Sequence, residues 1–463
     1  MKRRIGIWGL GESGTGAALL AHRQGYQVVL AASHPPAPPY AERLSQAGLS
    51  WTITADPYPL FSSCDMVVRS PGIRPDNPTL LRLREQGIPH CSDLEWGWLH
   101  FPPNAQLWMV TGTTGKTSTT HLLAHLLKTA GKKALACGNI GYSFCEAILD
   151  HPSTEYYVVE ASSFQLWDAW SVVPHLFVVT NLAPNHLDWH GTLEAYADAK
   201  LHLLKRLPPT AAFLYDAGSP HLEAALAHYP TQAQVWRFRE TPGPGIHAWI
   251  EPPFLVCLMK HTEYEEERWE VSYEGTPLES LPQRKNGLPA LLAAAHLIRT
   301  RQETLRRAFE TFQPYPHRLE PVAHIQGVLY VNDSKATTTE AVWYALKNYE
   351  RPVIWIAGGV DKGNDWGLLL QAVQKQVKAL ILIGKDTQTL ERAFHPVVPY
   401  LDWAASMDEA VEKAHLLASP GDVVLLSPGC ASFDWFRSYE ERGEAFRAAV
   451  RQLQTRLSEN PSS

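Results

Sequence analysis

The stretch VTGTTGKTSTT, Val110 to Thr120, sets Gly112, Thr113, Thr114, Gly115, Lys116, Thr117 and Ser118 between an apolar run and a helical pattern. Glycines at 112 and 115 let the backbone close around a phosphate with its N–H groups pointing inward. Lys116 supplies a mobile cation for the outer phosphates, and Thr117 offers a hydroxyl to Mg2+. The helix N-terminus adds its dipole. A strand before and a helix after are the context such a loop requires, so the stretch predicts nucleoside triphosphate binding. The plainer alternative is a glycine turn with a surface lysine. The spacing is tighter than in the longer GxxxxGK loop.

Further candidates fall where apolar runs end. In open α/β sheets, ligands sit outside the carboxyl ends of the strands. Glu160 follows YYVV, and Asn181 and His186 follow LFVVT. Asn332, Asp333, Ser334 and Lys335 follow LYV; Gly358, Gly359, Asp361 and Lys362 follow WIA. Ser427, Cys430, Ser432 and Asp434 follow VVLL. Polar strand ends are common, so each alone is weak; five in order, all rich in charge or hydroxyl, carry more. Glu160 and His186 are candidate metal partners, the carboxylate suiting Mg2+ better than the imidazole. Against them stand a salt-bridged strand end and a turn histidine. Near the start, GLGESG (Gly9 to Gly14) has the form of a dinucleotide fingerprint. An NAD site wants an acidic residue ending the second strand. Here that strand ends in Ala31, Ala32 and Ser33, so NAD is disfavoured. A pyrophosphate without that ribose clamp, such as the UDP part of a UDP-sugar, is left open.

The elements that must position these residues alternate as short strands and helices, the signature of α/β domains with parallel sheets. The 463 residues suffice for about three domains. The expected boundaries are 1–103, 104–316 and 317–463, with LHFPPNAQ as the first linker. Leu122, Leu123, Leu126 and Leu127 fall on one helix face, with Gly131 as its stop. Residues 238–285 read as a β-rich excursion, and four strands from GVLYVND onward read as a second open parallel sheet. A net charge of −6 gives no general attraction to nucleic acid or anionic membrane. No apolar run reaches the length of a membrane span. Six cysteines without CxxC or zinc spacing suggest reduced thiols in a cytoplasmic protein.

GTTGKTS, EASSFQL, NHLDWHGTLEAYADAK, HRLE, NDSKATT, GGVDKG and SPGCASFDWFRSYEERGEAF occur in the order found in Mur ligases. The chain resembles that family over nearly its whole length. With SPGI in the first block, the last motif most resembles the branch that adds D-glutamate. The resemblance implies three α/β domains: a Rossmann-like one for the UDP substrate, a central P-loop one for ATP, and a Rossmann-like C-terminal one that closes over both and brings the amino acid. It implies that ATP phosphorylates the alanyl carboxylate of UDP-N-acetylmuramoyl-L-alanine and that the D-glutamate amine attacks the acyl phosphate. The implied ligands are small molecules with two Mg2+ ions; the charge points to no nucleic-acid partner, and a monomer is expected.

Residue by residue, the resemblance gives Thr117, Glu160 and His186 to the metals, and Lys200 to carbamylation by CO2 in support of the second Mg2+. Asn286, Arg318 and Asp333 join the phosphate loop in contacting ATP. Ser13, Ser33, His34, Ser70 and Asn139 contact the UDP substrate. Lys335 and Thr337 lie in a loop facing the active site, and Thr337, Lys362, Ser432 and Tyr439 match the D-glutamate pocket. Lys116, His186, Lys200, Lys335 and Lys362 form the implied catalytic set. The chain departs from the pattern at Thr114, Asn185, Lys285, Pro289, Thr338, His34 and Tyr439, which touches the fine ATP and uridine contacts more than the chemistry. Competing readings are a ligase for another amino acid or a folate-type acceptor, a nucleotide-binding ATPase without ligase activity, and an NAD oxidoreductase.

Overall fold

A computed structural model of the chain describes residues 3–260, 266–279, 281–347, 349, 351–361 and 364–459. Two units emerge, Met1–Phe312 and Gln313–Ser463.

The first unit holds two sheets. One contains β1 (Arg4–Trp8), β2 (Gln27–Ala32), β3 (Trp51–Ile53), β4 (Met66–Arg69) and β5 (His90–Ser92). Its order is β3-β2-β1-β4-β5, all parallel. The order reverses between β1 and β4, which opens a crevice at their carboxyl ends. The glycine turn after β1 sits there. A Cβ on Gly14 would come 1.8 Å from the Gly9 carbonyl oxygen, so only glycine lets the helix Glu12–Arg23 start this close to the turn.

The other sheet contains β6 (Gln106–Thr111), β7 (Ala134–Gly138), β8 (Tyr156–Glu160), β9 (Leu176–Val179), β10 (Ala212–Asp216), β11 (Gln234–Phe238), β12 (Ala248–Glu251), β13 (Phe254–Lys260) and β14 (Glu266–Ser272). Its order is β14-β13-β12-β11-β10-β9-β6-β8-β7. The strands run parallel from β7 to β12, and β12, β13 and β14 form an antiparallel extension. That extension is the β-rich excursion expected from composition. β6 lies between β8 and β9 and is buried along most of its length. Burial on both faces is why LWMV is continuously apolar rather than alternating. The helix Lys116–Thr129 buries Leu122, Leu123, Leu126 and Leu127 against the sheet, each contributing about 1.5–3 kcal/mol. Gly131, at φ 80°, follows its C-cap.

Three buried polar contacts tie the first unit together. Gln165 Nε2 donates to both carboxylate oxygens of Asp93, at 3.2 and 3.0 Å. Ser171 donates to Glu95, and Arg69 pairs with Asp168 out of solvent.

The second unit contains β15 (Glu320–Ile325), β16 (Val328–Asn332), β17 (Val353–Gly358), β18 (Val377–Ile383), β19 (Leu401–Trp403) and β20 (Val423–Leu426). The order is β15-β16-β20-β17-β18-β19. Five strands are parallel; β15, not anticipated from the sequence, adds an antiparallel edge. Its pattern, EPVAHI, is half exposed and lacks the continuous apolar run that marked its neighbours.

Candidate active site

Strand order assembles the phosphate loop. β6 ends at Thr111, flanked by the end of β8 at Glu160 and by Thr180 and Asn181 after β9. Asn181 Oδ1 accepts the Thr114 N–H at 3.0 Å, while its amide donates to the Thr114 carbonyl and hydroxyl. Thr180 Oγ1 also donates to the Thr114 carbonyl, at 2.5 Å. These bonds hold the loop in a fixed shape. Gly115 caps the following helix at φ 79°, and a Cβ there would lie 2.6 Å from Asn286 Oδ1. Asn286 therefore packs against the loop, and it also accepts from Thr119 at 3.4 Å. Thr113 Oγ1 meets the Tyr196 hydroxyl at 3.2 Å and accepts the Ala183 N–H. Lys116 Nζ lies on the loop's own carbonyls, 3.1 Å from Gly112 and 2.9 Å from Thr113. Ser118 is buried in the first helical turn.

Next to the loop is a buried hydroxyl–carboxylate pair. Thr117 Oγ1 donates to Glu160 Oε2 at 2.6 Å, and Asn139 Nδ2 donates to Glu160 Oε1 at 2.9 Å. Lys200 is 1% exposed, with Nζ donating to Gly112 O at 2.9 Å and Thr111 Oγ1 at 3.2 Å. Burial pushes its pKa well below the ordinary lysine value, and the nearby Lys116 charge pushes the same way, while Glu160 opposes. The Tyr196 ring lies 4.8 Å from this amine. His186 is exposed, at φ 54°, and joins the cluster through aromatic neighbours: its ring centroid is 4.8 Å from Phe164 and 6.4 Å from Tyr196. Among the described residues, no group of three or more His, Cys, Asp or Glu is arranged to hold a metal. Lys285, which departs from the family pattern, is paired with Asp216 (3.3 Å) and Glu240 (3.0 Å), and Pro289 stands inside the helix Leu281–Leu292.

At the crevice of the first sheet, a cleft of about 370 Å³ is lined by Trp8, Gly9 to Gly11, Ser33, His34, Tyr40 and neighbouring residues. Ser33 Oγ and His34 Nδ1 are 2.9 Å apart. Ser70 follows β4, its N–H donating to Trp8 O, and its side chain faces Gly9. Ser13 is turned to the buried Asp93 carboxylate.

The second unit gathers its own set at the carboxyl ends of adjacent strands β16, β20 and β17. Asp333 is buried, accepting from Ser427 Oγ at 2.9 Å and from Leu319 N–H at 3.1 Å. Burial raises its carboxyl to about 7, against the pull of Ser427 and the Arg318 guanidinium. Arg318 sits between His317 (φ 62°) and Leu319 (φ 46°), a left-handed pair that costs of order 1–3 kcal/mol per residue. Asn332 Nδ2 meets His317 Nδ1 at 2.9 Å, which holds that turn. Ser432 is buried, Thr337 is half-buried, and Tyr439 begins the long helix Tyr439–Glu459. Lys362 lies outside the described residues.

Three contributors were given no role from sequence. Asn181 was visible as a strand end but carried no assigned role. Tyr196 hides in a helical pattern. Arg442 is 1% exposed and donates to Ser334 Oγ and O, Cys430 O and, at 3.4 Å, Gly358 O. It lies in the SPGCASFDWFRSYEERGEAF motif, but nothing in that run shows that this arginine is the buried one.

Comparison with known proteins bears on the same segments. Residues 110–244 match a family model described as the Mur ligase middle domain, and residues 317–430 one described as the Mur ligase, glutamate ligase domain. A UDP-N-acetylmuramoylalanine–D-glutamate ligase of Christiangramia forsetii is 36% identical, covering 98% of this chain and 100% of its own. The chain belongs to the Mur ligase family. A ligase of the same name from Thermobifida fusca is 37% identical, with 97% of this chain and 98% of its own covered. Among solved structures, UDP-N-acetylmuramate-alanine ligase from Thermotoga maritima aligns over 98% of this chain and 100% of its own, with TM-score 0.56 and 17% identity. At that identity the likeness speaks for the fold. Mur ligase architecture accounts for the three sheets: an N-terminal Rossmann-like domain, a central P-loop domain and a C-terminal Rossmann-like domain.

Proposed function

We propose that the chain is an ATP-dependent amide ligase that joins D-glutamate to UDP-N-acetylmuramoyl-L-alanine in peptidoglycan precursor synthesis. The observation that carries this reading is the cluster of Lys116, Thr117, Glu160 and Lys200 around a rigid phosphate loop, in a chain matched end to end by ligases of that name.

A carboxylate attacking a triphosphate meets charge repulsion, so positioning and neutralisation supply most of the catalysis. The loop N–H groups and the helix N-terminus bind the β- and γ-phosphates of ATP. Lys116 turns from its loop carbonyls to those phosphates, and Ser118, Asn286, Arg318 and Asp333 hold the nucleotide. The buried carboxylate of Glu160 beside the Thr117 hydroxyl fits a hard cation that keeps phosphate oxygens and water among its ligands. Thr117, Glu160 and His186 would hold Mg2+, with carbamylated Lys200 in support of a second ion, and the metal would supply charge neutralisation at the transferred phosphoryl group. The alanyl carboxylate takes the γ-phosphoryl group and ADP leaves. The D-glutamate amine attacks the acyl carbon, the tetrahedral adduct expels phosphate, and the amide forms.

Lys200 fits carbamylation because burial favours its neutral amine. The nitrogen lone pair bonds to the carbon of CO2, one C=O pair moves to oxygen, and the amine loses a proton. Ser13, Ser33, His34, Ser70 and Asn139 serve the UDP substrate; Lys335, Thr337, Lys362, Ser432 and Tyr439 serve D-glutamate. The domains run 1–103, 104–316 and 317–463, and the enzyme works as a cytoplasmic monomer. No helix of the described residues is long and apolar enough to cross a membrane.

The test is ADP release with UDP-N-acetylmuramoyl-L-alanine while the amino acid is omitted or exchanged. Release only with D-glutamate is expected. Release with another amino acid keeps the family and discards the branch; release without any acceptor discards the ligase.

A further inference from the structure

Lys335 occupies the turn after β16. Its N–H donates to His317 O at 3.0 Å, and the hydroxyl of the preceding Ser334 donates to Tyr439 O at 2.8 Å. The backbone is thus held from two sides. Its side chain is held as well: Nζ stands 4.7 Å from the ring centroid of Tyr315 and 5.6 Å from that of Tyr439. The Tyr439 phenol has the Glu440 carboxylate and the Tyr315 phenol as polar neighbours, and its ring meets His317 edge-on, with centroids 6.2 Å apart. Tyr315, Lys335 and Tyr439 are all half-buried, so the ammonium is neither sealed off nor loose in water.

A lysine stem is rich in rotamers, and an unclamped ammonium samples many positions. Each aromatic face attracts the cation, more strongly when the pair is partly desolvated. Two faces together offset much of the ordering cost. Both ring faces flank the ammonium, so the pair acts as one clamp.

We propose that Tyr315 is a positioning residue: with Tyr439 it clamps the Lys335 ammonium, so that this charge is already in place for the anionic groups of the substrates. The inference rests on the ligase reading above, in which Lys335 serves the active site. Tyr315 touches no reacting atom and acts through Lys335.

The test compares Tyr315→Leu with Tyr315→Phe in the full-length enzyme. Tyr315→Leu removes the ring face and is expected to lower kcat about tenfold, with the KM for ATP within twofold. Tyr315→Phe keeps the face and is expected to recover most of that loss. The second readout is independent of ligation. Competitive acetylation across pH, mapped by mass spectrometry, reports how readily the Lys335 amine reacts. Tyr315→Leu is expected to raise Lys335 labelling severalfold at pH 8 and leave other lysines unchanged. Wild-type turnover in Tyr315→Leu overturns the proposal. So does lost turnover with unchanged Lys335 labelling, or a Tyr315→Phe enzyme as impaired as Tyr315→Leu. A wild-type protein that releases no ADP with D-glutamate removes the reaction instead, and the labelling then decides the clamp alone.

Discussion

Two buried cations, one in each unit, are handled in opposite ways. Lys200 and Arg442 are each 1% exposed. Lys200 has two acceptors, Gly112 O and Thr111 Oγ1, and a second lysine nearby, and its pKa is driven far down. Arg442 spreads its planar fork over Ser334, Cys430 and Gly358, and burial lowers it only to about 10. Loss of water works against a lysine's charge, whereas a guanidinium keeps its charge and recruits carbonyls. The first arrangement favours a neutral amine beside a phosphate loop. The second yields a permanent cation that pins the loops after β16, β17 and β20.

The largest expected break in this comparison is at Lys200. Lys200→Ala should lose at least about 10³-fold in kcat, a loss of the size seen when a key electrostatic group is removed. Added CO2 should not restore it; wild-type turnover in an ADP-release assay would remove the carbamate role.

Arg442→Met should leave turnover secondary to stability. It strips donors from several buried acceptors and should cost about 3 kcal/mol or more, read as a lower urea midpoint. Arg442→Lys should recover only part, because one ammonium cannot reproduce the fork. Equal recovery would show that charge alone matters there.

The two units should also differ in pH response. The Asp333 carboxyl is raised to about 7 from an ordinary value near 3.8. Between those values the folded state holds a proton that the unfolded state has lost. Stability from this group therefore falls as pH rises from about 4 to 7, by on the order of 2–4 kcal/mol. Lys200 runs the other way: its folded pKa is depressed, so the unfolded state binds more protons and its penalty fades as pH climbs toward 10.5. Urea midpoints of wild type against Asp333→Asn and Lys200→Met, from pH 5 to 10, should show differences of opposite slope. Parallel curves would refute both assignments.

The smallest effect is expected at Lys285. Lys285→His should weaken the link to Asp216 and Glu240 and change the KM for ATP about two- to fivefold, without altering kcat. A loss in kcat would place Lys285 in the chemistry.

The phosphate loop was legible because its glycines, Lys116 and Thr117 are adjacent in the chain, and a local turn needs local residues. Glu160 and Asp333 were legible as polar residues ending apolar strands. The pairing of Thr117 with Glu160 was not, since it depends on β8 lying beside β6, and neighbours in a parallel sheet are set by crossovers rather than by sequence distance. Strand β15 escaped because an edge strand with one wet face lacks an apolar run. The joining of two sheets in Met1–Phe312 escaped too: one buried apolar cluster runs from Leu20 and Trp96 to Phe144 and Tyr157, and Asp93, Glu95, Arg69 and Asp168, charged residues that in isolation read as surface, add polar contacts.

By itself the sequence determined the α/β class, the loop and the order of the polar strand ends, because hydrophobic period and glycine placement act over a few residues. Tertiary structure decided which of those ends meet, which lysine has its pKa pushed down by burial and which arginine is held by buried carbonyls. Those outcomes depend on desolvation and on partners tens of residues away, and burial is a property of the folded whole.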